Sequence, residues 1–129
     1  MLKSGILNPQ INALLSRVRH TNLLVIAERG FPFWPQIETV DIALVDDVPT
    51  VLQVWAAIRR NFSVGKALMA AEFVRHNRPE VCAAFAAALD GIALEHLPHV
   101  EFKKHVPGAI GLIRSGDTTQ YANLILESA

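Results

Sequence analysis

The stretch RHTNLLVIAERGFP, running from Arg19 to Pro32, decides the fold. Its apolar run, Leu23 to Ala27, is short, β-prone and does not alternate with polar residues, the pattern of a strand buried on both faces. His20 precedes the run and Glu28 follows it at once. Two titratable groups bracketing one buried strand are either surface punctuation or parts of a reaction site.

Outward from this strand the punctuation is clear. Upstream, Asn8-Pro9 opens a helix, because Asn is a favoured N-cap and Pro at the first helical position gives up an amide that had no partner. Ile11, Leu14, Leu15 and Val18 then keep helical spacing up to Arg19. Downstream, Gly30, Pro32 and Pro35 make a loop. Thr39 to Leu44 reads as a second strand, Thr50 to Arg60 as a helix capped by Thr50, and Gly65 to Ala71 as a third strand. Pro79 to Leu89 is an Ala-rich helix stopped at Asp90-Gly91. Ile92 to Leu97 is strand-like, and His99 to His105 is a short helix ended by Pro107-Gly108. Ala109 to Arg114 and Ala122 to Leu126 are two last strands joined by the polar turn SGDTTQ, and they are expected to pair as an antiparallel hairpin. Strands alternating with helices give an α/β fold of three layers, α/β/α. Its sheet is mixed and mostly parallel, ends in an antiparallel pair, and forms one domain over residues 1–129.

Bulk properties narrow the partners. The 129 residues are 51% apolar and 19% charged, which describes an ordinary globular chain. Twelve basic residues balance twelve acidic ones with no basic cluster, so no nucleic-acid footprint is present. Cys82 is the one cysteine, which forbids an internal disulfide and suits a reducing compartment. The first ten residues lack a signal-peptide pattern, and no apolar run approaches the roughly 20 residues of a membrane span. A cytoplasmic protein without membrane contact is the expectation.

The candidate residues each have a plain structural reading. On position alone, His20 is most simply a histidine meeting the negative end of a helix dipole, and Glu28 a solvated loop carboxylate. Glu95, His96 and His99 lie close together, but Pro98 interrupts them and neither CxxC nor HExxH accompanies them, so no metal is expected. Tyr121 and Asn123 flank Ala122 at the start of a strand, where alternation turns both to one face. Cys82 has no nearby base or cation to activate it and reads as core. GxSxG, GxGxxG and the P-loop are all missing. What is left is acid–base chemistry by His, Glu and Tyr with no cofactor.

Four segments carry a resemblance: KSGILNPQINALLSRVRHTNLLVIAERGFP, VDIALVDDVPTVLQV, PHVEFK and RSGDTTQYANLIL. In that order, and over Lys3 to Leu126, the chain resembles the D-ribose pyranase family, relatives of the fucose mutarotases. SGILNP and VDIAL place it nearer the ribose branch. The resemblance implies an isomerase that interconverts pyranose and furanose forms of a free aldose, chiefly D-ribose. It also implies a ring-shaped homodecamer built from two pentamers, with sugar pockets between subunits. Carried across by position, His20 matches the proton-transferring histidine and His99 the substrate-binding histidine. Tyr121, Ala122 and Asn123 match the sugar-binding YAN segment. Glu28 stands where the family usually has aspartate followed by a small residue and glycine; here the carboxylate is one methylene longer and Arg29 follows. Gln120 replaces a common proline.

The chemistry suits these residue types. Opening a cyclic hemiacetal places a proton on the ring oxygen and removes one from the anomeric hydroxyl, and closure through another hydroxyl changes ring size. Histidine is the side chain that gives and takes protons near neutrality. His20 is then the proton shuttle, with Glu28 and Asn123 holding hydroxyls and His99 neutral beside a helix N-terminus. Two alternatives stand beside this reading: a mutarotase for another aldose such as fucose, suggested by Glu28-Arg29, and a non-catalytic sugar-binding oligomer. Glu28, His99 and the turn before Tyr121 all follow strands, whereas His20 precedes one. Eight residues separate His20 from Glu28, up to about 26 Å of extended chain. His20 of one subunit is therefore expected to serve the pocket of its neighbour.

Overall fold

The computed structural model describes residues 1–129. Helix α1 (Pro9–Arg17) leads into strand β1 (Leu23–Ala27), and β2 (Glu38–Asp41) and helix α2 (Val51–Arg59) follow. Strand β3 (Val64–Ala70) runs directly into α3 (Ala71–His76), ahead of α4 (Pro79–Ala88) and β4 (Ala93–Leu97). Helix α5 (His99–His105), β5 (Ala109–Arg114) and β6 (Leu124–Ser128) complete the chain. The caps form as read: Asn8 accepts from the Ile11 amide at 2.9 Å, and Thr50 with Gln53 makes a reciprocal capping box.

All six strands lie in one sheet in the order β2-β5-β1-β6-β3-β4. The pairs β2–β5, β5–β1 and β3–β4 are parallel, while β6 is antiparallel to both β1 and β3. Mixed and mostly parallel is thus right, but the expected hairpin is not there. The strand β6 passes over the end of β1 and pairs on β1's far side. What prevents a hairpin is the segment between the two strands. Ser115 gives both its amide and its hydroxyl to the Ala27 carbonyl, at 2.8 and 2.7 Å, which carries the chain across β1 instead of turning it back along β5.

Alternation along the strands sorts the core into two layers. Leu24 and Ile26 of β1, Ala67 and Met69 of β3, and Leu124 and Leu126 of β6 face one side. There they meet Ile11 and Leu14 of α1, Val54, Trp55 and Ile58 of α2, Phe73 of α3 and Phe85 of α4. Val25, Leu68, Leu112 and Ile125 face the other side, against Phe31, Phe102 of α5 and Val106. The central strands are buried on both faces, which is why the run from Leu23 to Ala27 shows no polar alternation.

Two strand boundaries and one helix differ from the reading of the sequence. The second strand stops at Asp41, because Leu44 donates to the Val48 carbonyl and folds residues 44–48 into a turn. The short helix α3 was not expected. The last strand starts at Leu124, since Tyr121 takes a left-handed φ of 57° and ends extended backbone before the strand begins.

A polar pocket at the carboxyl edge of the sheet

Because β1, β3, β4 and β5 point the same way, their carboxyl ends share one edge of the sheet, the edge where α/β folds bind ligands. Glu28 follows β1, Glu72 follows β3, His99 follows β4, and the loop from Ser115 to Asn123 follows β5. Since β6 runs the other way, its first residues return to the same edge. Ile26 pairs with Leu124, so Asn123 is delivered beside Glu28. The central antiparallel strand therefore inserts the YAN segment between the ends of β1 and β3.

A cavity of about 500 Å³ opens at this edge, lined among others by Glu28, Arg29, His99, Gln120, Tyr121 and Asn123. Asn123 is 1% exposed, and its Oδ1 accepts the Glu28 amide at 2.8 Å, tying the two ends together. The Glu28 carboxylate curls back to accept the Gly30 amide at 2.6 Å. Burial pushes the Glu28 carboxyl above its ordinary value; the Gly30 amide opposes this, Asp117 adds to it, and Arg29 and Arg114 act against it. His99 packs edge-on against Tyr121, with ring centres 5.1 Å apart, and lies parallel to Phe102. Burial and then the Lys103 charge hold its imidazole below its ordinary pKa, with Glu72 pulling the other way. The neutral ring offers one donor and one acceptor, and His99 Nδ1 is buried without a protein partner.

The loop over the pocket is held by a buried carboxylate that the sequence did not single out. Asp117, 3% exposed, accepts the Val51 amide at 2.9 Å at the start of α2 and the Thr119 amide at 2.8 Å. An anion at a helix N-terminus is favourable, so α2 anchors the loop. Asp47 takes both the amide and the hydroxyl of Thr118, at 2.9 and 2.8 Å. Gly116 runs so close to the Val45 and Val48 carbonyls that a Cβ would collide with them. These contacts offset the cost of Tyr121's positive φ, about 1–3 kcal/mol for a residue other than glycine.

Of the six residues singled out from the sequence, four meet here: Glu28, His99, Tyr121 and Asn123. Ala122 does not line the pocket; it is fully buried in the core beneath it, where its small side chain fits between strand and helices. Tyr121 and Asn123 share the pocket through the turn at Tyr121, not through strand alternation. His20 lies elsewhere. It is exposed at the opposite edge, with Nδ1 2.6 Å from the main-chain oxygen of Ala129, across the five-residue length of β1 from Glu28. At the rise of a strand that separation is at least about 15 Å.

An α/β sheet with a carboxylate, a neutral imidazole, a phenol and an amide around a cavity at its carboxyl edge defines a protein with an acid–base pocket sized for a small polar molecule. The chain belongs to the RbsD / FucU transport protein family, whose model it matches over residues 1–129. It is 38% identical over 128 residues to a D-ribose pyranase of Laribacter hongkongensis, covering 99% of this chain and 97% of that one. The structure of Bacillus subtilis RbsD complexed with D-ribose superposes with a TM-score of 0.93 at 32% identity, covering 100% of this chain and 98% of the other. The fucose mutarotase of Streptococcus pneumoniae, in complex with L-fucose, shares the fold at a TM-score of 0.84 and 16% identity, with 99% and 98% covered. The higher identity to the ribose protein agrees with the placement near the ribose branch.

Proposed function

We propose that the chain is a cofactor-free sugar isomerase that interconverts the pyranose and furanose forms of a free aldose, D-ribose first among them. The observation that carries this reading is the convergence of Glu28, His99, Tyr121 and Asn123 on one cavity, in a chain similar over its full length to D-ribose pyranases. A monosaccharide presents a ring of hydroxyls, each a donor and an acceptor. The pocket answers with a carboxylate that accepts, a phenol and an imidazole that do both, and an amide whose Nδ2 remains for the ligand while its Oδ1 holds Glu28.

The chain's own pocket holds the sugar, and His20 of a neighbouring copy moves the proton between the ring oxygen and the anomeric hydroxyl. A positioned acid–base group of this kind contributes about 10²–10⁴-fold. This division of labour follows from His20 lying at the far edge of its own sheet, out of reach of its own pocket. It calls for a closed ring of copies, which a homodecamer of two pentamers provides. The even charge balance and the single cysteine suit a cytoplasmic site of action.

The longer Glu28 favours a second reading, turnover of an aldose other than ribose, because its carboxylate is already engaged with Gly30. Saturation-transfer NMR on free sugars separates the readings. Faster pyranose–furanose exchange of ribose supports the first, and exchange confined to another aldose such as fucose supports the second. Binding without any exchange would reduce the protein to a sugar-binding oligomer and defeat both.

A further inference from the structure

We propose that Glu72, on the short helix α3, is a positioning residue that sets His99 for the sugar. The inference rests on the reading of the pocket as a sugar site. It starts from register. Strands β3 and β4 are parallel neighbours with Ala70 opposite Leu97, so two residues further on Glu72 stands opposite His99. There both carboxylate oxygens of Glu72 accept the His99 amide, at 3.0 and 3.1 Å.

That amide belongs to the first residue of α5, whose N-cap, Pro98, has no side chain able to cap it. Glu72 supplies the cap from another helix, and in doing so fixes the backbone from which the His99 ring projects. Burial raises the Glu72 carboxyl, but the His99 amide, its own amide, and the Arg75 and His99 charges together bring it below its ordinary value. It is an anion at neutral pH. The end of α3 touches the same wall of the pocket. His76 packs against the Tyr121 ring at 5.3 Å between centres, and Asn77 donates to the Gln120 carbonyl at 2.9 Å, just before the left-handed Tyr121. One six-residue helix and the residue after it thus touch His99, Tyr121 and Gln120 of the pocket wall.

The charged groups that act on His99 are Glu72 from α3 and Lys103 from α5; the titratable Tyr121 packs on its ring, and Glu28 and Arg29 line the same cavity. Of the first two, Glu72 stabilises the imidazolium and Lys103 opposes it. Neutralising Glu72 therefore lowers the His99 midpoint further, an effect that mere structural support would not produce.

The test is Glu72→Gln, followed by imidazole NMR titration of His99 and by ribose exchange kinetics, alone and in a His99→Ala background. The expected result is a lower His99 midpoint and a ribose KM raised about tenfold, with kcat within about threefold of the parent. In the His99→Ala background Glu72→Gln adds nothing further to KM. An unmoved His99 titration, or the same KM penalty in both backgrounds, overturns the proposal. If the unaltered protein fails to accelerate ribose exchange, the functional reading falls, and the His99 titration still decides the role of Glu72. Glu72→Asp, which keeps the charge, keeps the fold testable if Glu72→Gln melts.

Discussion

The two ends of β1 are unlike in every physical respect. At its carboxyl end Glu28 is drawn into a pocket, clamped through its amide by Asn123, and flanked by groups from three other strand ends. At its amino end His20 stands exposed, with a main-chain oxygen as its one polar contact. The same strand thus separates a polar cavity, in which Glu28 and His99 meet, from a solvent-facing imidazole with no cavity around it. The lesson is that a five-residue strand keeps groups at its two ends too far apart to meet within one chain.

This contrast breaks most sharply at His20. Replacing it by Ala is expected to lower ribose exchange about 10²–10⁴-fold, the usual contribution of a positioned acid–base group, with no change in the protein's sedimentation. Exchange at the parent rate would take His20 out of the chemistry and leave the pocket end to act alone. A smaller effect tests the other end. Asn123→Ala leaves the Glu28 amide without its acceptor in a buried place, and urea unfolding should show a loss of about 1–3 kcal/mol together with weaker ribose binding. Unchanged stability would mean that the Glu28–Asn123 link does not hold the pocket. The smallest effect is expected from Glu28→Asp, which shortens the carboxylate by one methylene. It should shift the ratio of kcat/KM for ribose over fucose about tenfold toward ribose, and an unmoved ratio would show that Glu28 does not set sugar preference.

Much of this architecture is legible in the sequence. The Asn8-Pro9 start, the Thr50 cap and the stop at Asp90-Gly91 are local devices, and local devices can be read from neighbouring residues. The expected hairpin failed because strand order is a matter of distant contacts. Nothing between Ser115 and Gln120 announces that Ser115 will bond to Ala27, 88 positions earlier. Helix α3 escaped notice because it has six residues and no side-chain cap at Ala70. Within the site, Glu28, His99, Tyr121 and Asn123 were found by resemblance, and the sheet brings them together. Asp117 and Glu72 were not found, since each acts on the backbone amides of residues far away in sequence. A carboxylate bound to an amide 66 or 27 positions away leaves no pattern in the chain. His20 was expected near the edge opposite Glu28, and it lies there.

The central claim, that His20 of one copy completes the pocket of another, is tested most directly by mixing two proteins impaired in different parts of the site. His20→Ala chains retain an intact pocket, and His99→Ala chains retain an intact proton carrier. Co-refolding them in equal amounts should restore ribose exchange to at most about a quarter of the parent rate, since random assembly joins a good pocket to a good histidine at one interface in four. Exchange no faster in the mixture than in either variant alone, with mixed assemblies confirmed by mass, would contradict the account.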